Sequence, residues 1–206
     1  MNVVDKLKHW EQVYNTKSFE EVSWYQDTPS YFLKLIANLN IPKEAPIIDV
    51  GCGESKLLYH LYLEGYHHLS GLDISSVAIE KNIKNYSHLQ PSIEWICNDI
   101  CTFLPRKKYF LWYDRAVFHF LRETPEIETY IQLTTNYIEK GGYLILSTFS
   151  KNGPLKCSGL DISSYNHEDI ALLFESNFEV IYQSYHDHET PFNTLQNFQT
   201  SILKRK

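Results

Sequence analysis

The chain predicts an α/β fold: a mostly parallel sheet with helices on both faces and one reversed strand near the C-terminus. Three observations carry this. Short apolar runs alternate with stretches of helical periodicity from residue 45 to residue 174. A glycine-rich turn, Gly51-Cys52-Gly53, closes the first apolar run. Two strand-like runs, 178–184 and 196–203, follow one another with only a polar turn between them, so they must pair antiparallel or nearly so. The preceding strand–helix–strand units imply parallel pairing through right-handed crossovers.

The elements follow in order. Residues 1–40 read as two helices forming an N-terminal cap, the second opened by Thr28 with Pro29 in its first turn. Residues 45–50 are a short buried strand. Leu57, Leu58, Leu61 and Tyr62 recur at helical spacing, and Gly65 is a natural stop. Residues 68–72 form a second strand. Ser75 or Ser76 caps a helix whose apolar face is Ile79, Ile83 and Tyr86. Strands at 92–97 and 110–117 come next. A long helix through Ile127, Tyr130, Ile131, Thr134 and Ile138 ends at Gly141-Gly142, and a fifth strand covers 143–149. Asn166 caps a helix carrying Ile170, Leu173 and Phe174, with Glu168 and Asp169 in its first turn, where negative charge suits the helix dipole. The pattern predicts one domain over 1–206, with the cap at 1–40 and a ligand-binding sheet at 41–206.

Charge and cysteine usage exclude several functions. The formal net charge of -6 gives no general attraction to a phosphate backbone, so nucleic acid is not an expected partner. No run approaches 18 apolar residues, and the first ten residues do not read as a signal peptide, so no membrane span is expected. Cys52, Cys97, Cys101 and Cys157 form no CxxC pair. They fit reduced thiols in a cytoplasmic protein, and no metal site is expected.

In an open α/β sheet, ligands sit at the carboxyl ends of the strands. Four successive strand ends here carry acidic groups: Asp49, Asp73, Asn98-Asp99, and Asp114 beside Arg115. Gly51 and Gly53 let the backbone turn tightly and approach a ligand. Asp73 is placed to accept both hydroxyls of a ribose. Asp99, or Asn98 in its stead, suits an exocyclic adenine amine, with Ile74 and Ile100 as apolar walls for the ring. Asp49 braces the glycine loop or meets a cationic amino group. Asp114 does likewise or pairs with Arg115. The implied ligand is a nucleoside with a positively charged tail and no phosphate. A nicotinamide-binding loop would place a third glycine at Lys56, and a P-loop would need Gly-Lys-Ser or Gly-Lys-Thr; neither occurs.

Asp49-Val50-Gly51-Cys52-Gly53 resembles the first motif of class I S-adenosylmethionine-dependent methyltransferases, D/E-x-G-x-G-x-G, with Ser55 in place of the last glycine. Leu72-Asp73-Ile74-Ser75 and Asn98-Asp99-Ile100 resemble that family's ribose and adenine ends. The resemblance implies a Rossmann-like seven-stranded sheet in order 3-2-1-4-5-7-6 with strand seven antiparallel. It implies S-adenosyl-L-methionine as cofactor and S-adenosyl-L-homocysteine as product. Cys52 and Ser55 then join the cofactor loop. His9-Trp10-Glu11, Trp24-Tyr25-Gln26, Asp114-Arg115-Ala116-Val117-Phe118-His119-Phe120, the stretch 153–160 and His188-Glu189-Thr190-Pro191 resemble a small bacterial subgroup, mostly without an assigned substrate; a more distant similarity runs to protein-lysine methyltransferases, which carry D-K-G-T in place of Asp114-Arg115-Ala116-Val117. The subgroup's fourth strand generally starts on an acidic residue where this chain has Phe110.

Trp24 and Tyr25 form an aromatic lid over a sulfonium, or pack as core. His119, after the fourth strand, is either a general base or a satisfied packing histidine. The compact chain favours a small-molecule acceptor. A protein lysine is the second reading; a nicotinamide oxidoreductase and a non-catalytic adenosyl-binding protein remain as further alternatives. The acceptor and the oligomeric state do not follow from the residues.

Overall fold

The computed structural model describes residues 3–54 and 56–206. The chain divides into two compact units, Met1–Phe103 and Leu104–Lys206.

The first unit holds α1 (Val3–Thr16), a 3-10 turn at Phe19–Glu21, α2 (Ser30–Asn38), β1 (Ile47–Val50), α3 (Leu57–Leu63), β2 (Leu69–Asp73), α4 (Ser76–Asn85), a 3-10 turn at Ser87–Leu89 and β3 (Ile93–Cys97). Its three strands are parallel, with Ile47 beside Leu69, Leu69 beside Ile93, and Asp73 beside Cys97 at the carboxyl ends. Every residue of β1 and β2 is buried, as expected of parallel strands covered on both faces. Ser75 caps α4 by accepting the Ala78 amide, one of the two caps expected there.

The second unit holds β4 (Tyr109–Arg115), a 3-10 turn at Phe118–Phe120, α5 (Thr124–Tyr137), β5 (Ile138–Phe149), β6 (Lys156–Cys157), β7 (Leu160–Asp161), α6 (His167–Phe174), β8 (Phe178–Glu189) and β9 (Leu195–Arg205). β4 and β5 are parallel, while β9 runs antiparallel to both β5 and β8. β6 and β7 form a separate two-stranded ribbon. Asn166 and Asp169 cap α6 reciprocally, each side chain accepting the other's amide. The main sheet has seven strands in the order β3-β2-β1-β4-β5-β9-β8. Counting only its members, this is the expected 3-2-1-4-5-7-6 with the last strand in sequence reversed.

Three boundaries and one face differ from expectation. α2 starts at Ser30, with Pro29 rather than Thr28 at the cap position, and Pro29 makes no side-chain cap bond. The fifth strand starts at Ile138, five residues early. Ile138 pairs with Tyr109, and pairing resumes only at Leu111 with Tyr143. Residues 139–142 bulge out between those points, and Gly141 takes a φ of 79°, the left-handed conformation that glycine adopts without penalty. The last two strands extend to Glu189 and from Leu195, leaving a turn much shorter than the polar composition suggests. On α4, Ile83 is 40% exposed, and the buried positions are Ala78, Ile79 and Asn82.

Candidate functional site

The glycine loop after β1 is held chiefly by Asp73. One carboxylate oxygen of Asp73 accepts the Gly53 amide at 2.8 Å, and the other accepts the Ser75 amide at 2.8 Å. The Gly51 and Cys52 amides both donate to the Leu72 carbonyl, at 2.7 and 3.0 Å. The loop is thus tied to the end of β2 by two main-chain bonds and one carboxylate. Burial pushes the Asp73 carboxyl up to about 6, against the opposing pull of the Ser75 and Gly53 amides; the charge of Glu11 adds to the rise. Gly53 has a φ of 48°, and a Cβ there would lie 2.5 Å from the Tyr14 hydroxyl. Any side chain at 53 would therefore be strained twice, by its backbone and by Tyr14.

Four further residues of the first unit support this loop, and none of them was read from the sequence as part of it. Asn82, buried on the apolar face of α4, donates to the Gly53 carbonyl and lies 3.9 Å from the Cys52 sulfur. Lys81 donates to the Tyr14 carbonyl at 2.8 Å and to Glu54 at 2.9 Å. Glu11 of α1 accepts the Ser76 amide at 2.6 Å, at the first turn of α4. The signal for Asn82 was present as a polar residue three positions after Ile79, on the buried stripe. The signal for Tyr14 was its spacing of four from Trp10 on one helix.

The remaining residues expected in this unit lie as follows. Asp49 is buried at the third position of β1. The Cys52 thiol is also buried, packed toward Gly71, so only its backbone is available at the loop. Ile74 is half-buried and Ile100 is buried. Asp99 accepts the Cys101 amide at 2.7 Å, and Asn98 accepts from the Thr102 hydroxyl at 3.0 Å. Trp24 packs edge-on against Trp10 and Tyr14, with ring centroids 5.8 and 6.4 Å away. Tyr25 packs instead on Phe19, at 4.9 Å. Ser55 lies outside the described residues.

In the second unit, Asp114 is fully buried. It accepts the Tyr130 hydroxyl at 2.6 Å and the amides of Val117 and Phe118 at 2.9 and 3.3 Å. Burial pushes its carboxyl up to about 6, and those three donors pull it the other way. The Arg115 guanidinium lies over the Phe198 ring, 5.2 Å from its centroid. His119 is also fully buried, and its Nδ1 accepts the Phe149 amide at 3.3 Å. Burial, with the nearby charge of Arg115, drives the ring's pKa down to about 3. The ring is therefore neutral near pH 7, with its proton on Nε2.

The methyltransferase domain family matches residues 41–198 of this chain. The chain belongs to the methyltransferase domain family. The Asp49–Gly53 loop, Asp73 and Asp99 all fall inside the matched region, as the motif resemblance leads one to expect. Among solved structures, the chain resembles a protein of echinomycin biosynthesis studied for the conversion of a disulfide bond into a thioacetal group. That match has a TM-score of 0.77 and 15% identity and covers 97% of this chain and 93% of that one. It also resembles the N-methyltransferase NodS of Bradyrhizobium japonicum in complex with S-adenosyl-L-homocysteine, with a TM-score of 0.70, 13% identity, and 96% and 98% of the two chains covered. These likenesses establish the shared fold. In sequence, an eEF1A lysine and N-terminal methyltransferase homolog of Drosophila pseudoobscura pseudoobscura is 23% identical over 78% of this chain and 24% of its own length. This chain spans between 20% and 36% of the length of such curated relatives. No described helix is long and apolar enough to cross a membrane.

Proposed function

We propose that this chain is an S-adenosyl-L-methionine-dependent methyltransferase. One observation carries the reading: the buried Asp73 carboxylate joins the Gly53 amide to the head of α4 at the ends of the first two strands. Each of its oxygens uses one lone-pair direction for an amide and keeps another for a hydroxyl. The neighbouring chemistry fits the same ligand. Gly53 lets the Tyr14 hydroxyl close directly against the loop, where a Cβ would collide with it. No phosphate-binding sequence accompanies the loop.

On this reading Asp73 would receive the ribose hydroxyls, and Asp99 or Asn98 the adenine amine, with Ile74 and Ile100 beside the ring. Asp49 and the Gly51–Gly53 backbone would meet the amino-acid tail. Trp24, together with Trp10 and Tyr14, would supply aromatic faces suited to a sulfonium. The bound cofactor supplies an electrophilic methyl whose leaving group departs as a neutral thioether. The chain's residues have then to align the acceptor and exclude water. Asp114 already takes three donors within its own unit, and we read it as the brace of the 116–118 turn rather than as a ligand contact. His119 offers its acceptor nitrogen to Phe149, so we read it as a packed ring rather than a base.

For the acceptor we favour a small molecule. The structural likenesses of full extent support this, since they include an enzyme of echinomycin biosynthesis. A protein-lysine acceptor is the second reading, favoured by the eEF1A methyltransferase relatives.

A thermal-shift series tests the cofactor. S-adenosyl-L-homocysteine should raise the melting temperature of the wild type, and Asp73→Ala should lose most of that rise. Stabilisation by NAD, with none from either adenosyl compound, would overturn the reading in favour of an oxidoreductase. Labelled methyl transfer to separated metabolite and protein fractions of a cell extract then distinguishes the two acceptors. A cofactor shift with no transfer to either fraction would favour a non-catalytic binding protein.

A further inference from the structure

The second unit gathers hydrogen-bond donors on one face of its strands, apart from the proposed cofactor residues. Register sets Arg115, Ser147 and Thr200 side by side on β4, β5 and β9. It sets Phe149, Phe198 and His186 together two residues further along β5, β9 and β8. Side chains two apart on a strand share a face, so both rows line the same one. Phe198 is the centre. The Arg115 guanidinium lies over its ring, 5.2 Å from the centroid, and Nε and Nη2, the nitrogens of one guanidinium edge, are buried. His186 stacks on the same ring at 5.5 Å, and Phe149 meets it edge-on at 4.7 Å. The Thr200 hydroxyl donates to Ser147 at 2.9 Å and lies 3.4 Å from the His186 Nδ1. His119 packs on Phe149 at 4.9 Å. With Nδ1 taken by the Phe149 amide, its Nε2–H is buried and has no hydrogen-bond partner among the described residues. Buried donors normally have one.

The carboxylates next in sequence lie elsewhere. Asp114, Asp187 and Glu189 alternate with Arg115, His186 and His188 along their strands and so belong to the opposite face. Asp161, beside Ile162, is paired with Lys156 at 3.3 Å. The Cys157 thiol packs with Phe149 and Phe198; burial pushes it up to about 12, so it stays neutral. Burial and the Arg115 charge drive His119 down to about 3 and His186 to about 4, so both rings are neutral near pH 7. The cluster reaches the surface along Ala116, Phe120 and Ile162, which are half-buried.

We propose that this face is a carboxylate-binding subsite. The guanidinium edge would take both carboxylate oxygens, the His119 Nε2–H would donate to one of them, and Phe149 and Phe198 would border an apolar or aromatic frame. One guanidinium matches a single negative charge, which favours a carboxylate over a doubly charged phosphate. The ligand's identity rests on the methyltransferase reading with a small acceptor: the carboxylate anchors that acceptor, and methyl transfer leaves its charge intact.

The probe is benzoate, with benzamide as its neutral isostere and inorganic phosphate as a second anion. Benzoate should bind the full chain saturably in calorimetric titration, at least tenfold more tightly than either. Arg115→Gln should weaken benzoate at least tenfold. Arg115→Lys keeps the charge without the fork and should weaken it severalfold. Arg115 is half-buried, so the unmodified chain supplies a second readout. In NMR of the histidine ring nitrogens, saturating benzoate should shift the His119 Nε2 and His186 signals and leave His88 of the first unit unmoved. No saturable benzoate binding, equal binding of benzamide or phosphate, indifference to Arg115→Gln, or shifts confined to the first unit would each overturn the subsite. The labelled product formed from S-adenosyl-L-methionine and a cell extract should stay on an anion exchanger near pH 7 and leave it near pH 3. A product unretained near pH 7 would remove the acceptor from this subsite. Benzoate binding without any thermal shift from S-adenosyl-L-homocysteine would overturn the methyltransferase reading and leave the subsite standing.

Discussion

Asn82 and Asp73 hold the same loop from opposite sides, one through the Gly53 carbonyl and the other through its amide. Both are buried, so neither bond is replaced by water when a partner is removed. Asn82→Ala should cost about 1–3 kcal/mol of stability, the range for stranding a buried polar group. It should also weaken S-adenosyl-L-homocysteine binding, because the loop loses its tether to α4. Urea unfolding and calorimetric titration check the two effects. Unchanged affinity would show that Asp73 alone positions the loop. Asp73 carries a second prediction. Burial raises its carboxyl to about 6 in the free protein, and in the proposed ribose-binding role the ionised form is the better acceptor for both hydroxyls. Affinity for S-adenosyl-L-homocysteine should be level above about pH 7 and fall by up to about tenfold per pH unit below 6. A flat profile from pH 5 to 8 would place the ribose elsewhere. Asp73 was legible from its place at a strand end. Asn82 was not, because periodicity marks it as facing the core without saying that a carbonyl waits there.

The helix α1 belongs to the first unit through polar contacts rather than through sheet pairing. Glu11 meets the first turn of α4, Lys81 of α4 meets the last turns of α1, and Tyr14 lies over Gly53. Glu11→Ala removes an anion from a helix N-terminus, a loss of about 0.3–1 kcal/mol. Its expected signature is local: faster amide exchange in α1 and at the start of α4, with β1 and β2 unchanged. Equal acceleration throughout the unit would mean that α1 is integral to the core rather than docked on it. At this level the elements themselves were readable, including both N-terminal helices and the Asn166 cap. The start of β5 was not. Ile138 continues the apolar spacing of α5 and pairs with Tyr109, so the same residue satisfies both patterns. The left-handed Gly141 then let the chain bulge where composition suggested a helix stop.

Buried titratable groups in both units shape how stability depends on pH. Asp73 and Asp114 are raised to about 6, so each stabilises the fold at low pH, and that contribution is lost as pH rises through 6. His119 and His186 are lowered to about 3 and 4, so each stabilises above 6.5, and that contribution is lost as pH falls. Between pH 4 and 6 the two carboxyls and two imidazoles act in opposite directions and nearly cancel. His119→Gln removes one member of the balance. Relative to wild type, the variant should then gain stability on acidification from pH 6 to 4, by about 1.4 kcal/mol per pH unit. Urea unfolding across that range gives the difference directly; parallel profiles would show that His119 titrates normally in the folded chain.

The order of strands and helices, the reversed last strand, the glycine loop and the acidic strand ends were all determined by the sequence, because each depends on residues close together along the chain. Asp49-Val50-Gly51-Cys52-Gly53 with Asp73 and Asp99 was enough to point to the family. Tertiary structure decided which polar groups are already taken. Asp114, near the end of β4, accepts the Tyr130 hydroxyl and the Val117 and Phe118 amides, and His119, in the turn that follows, accepts the Phe149 amide. Asp73 also binds two amides, but these belong to the loop and helix it braces. The difference lies in hydrogen bonds between residues up to 30 positions apart, and no local periodicity encodes a partner at that distance.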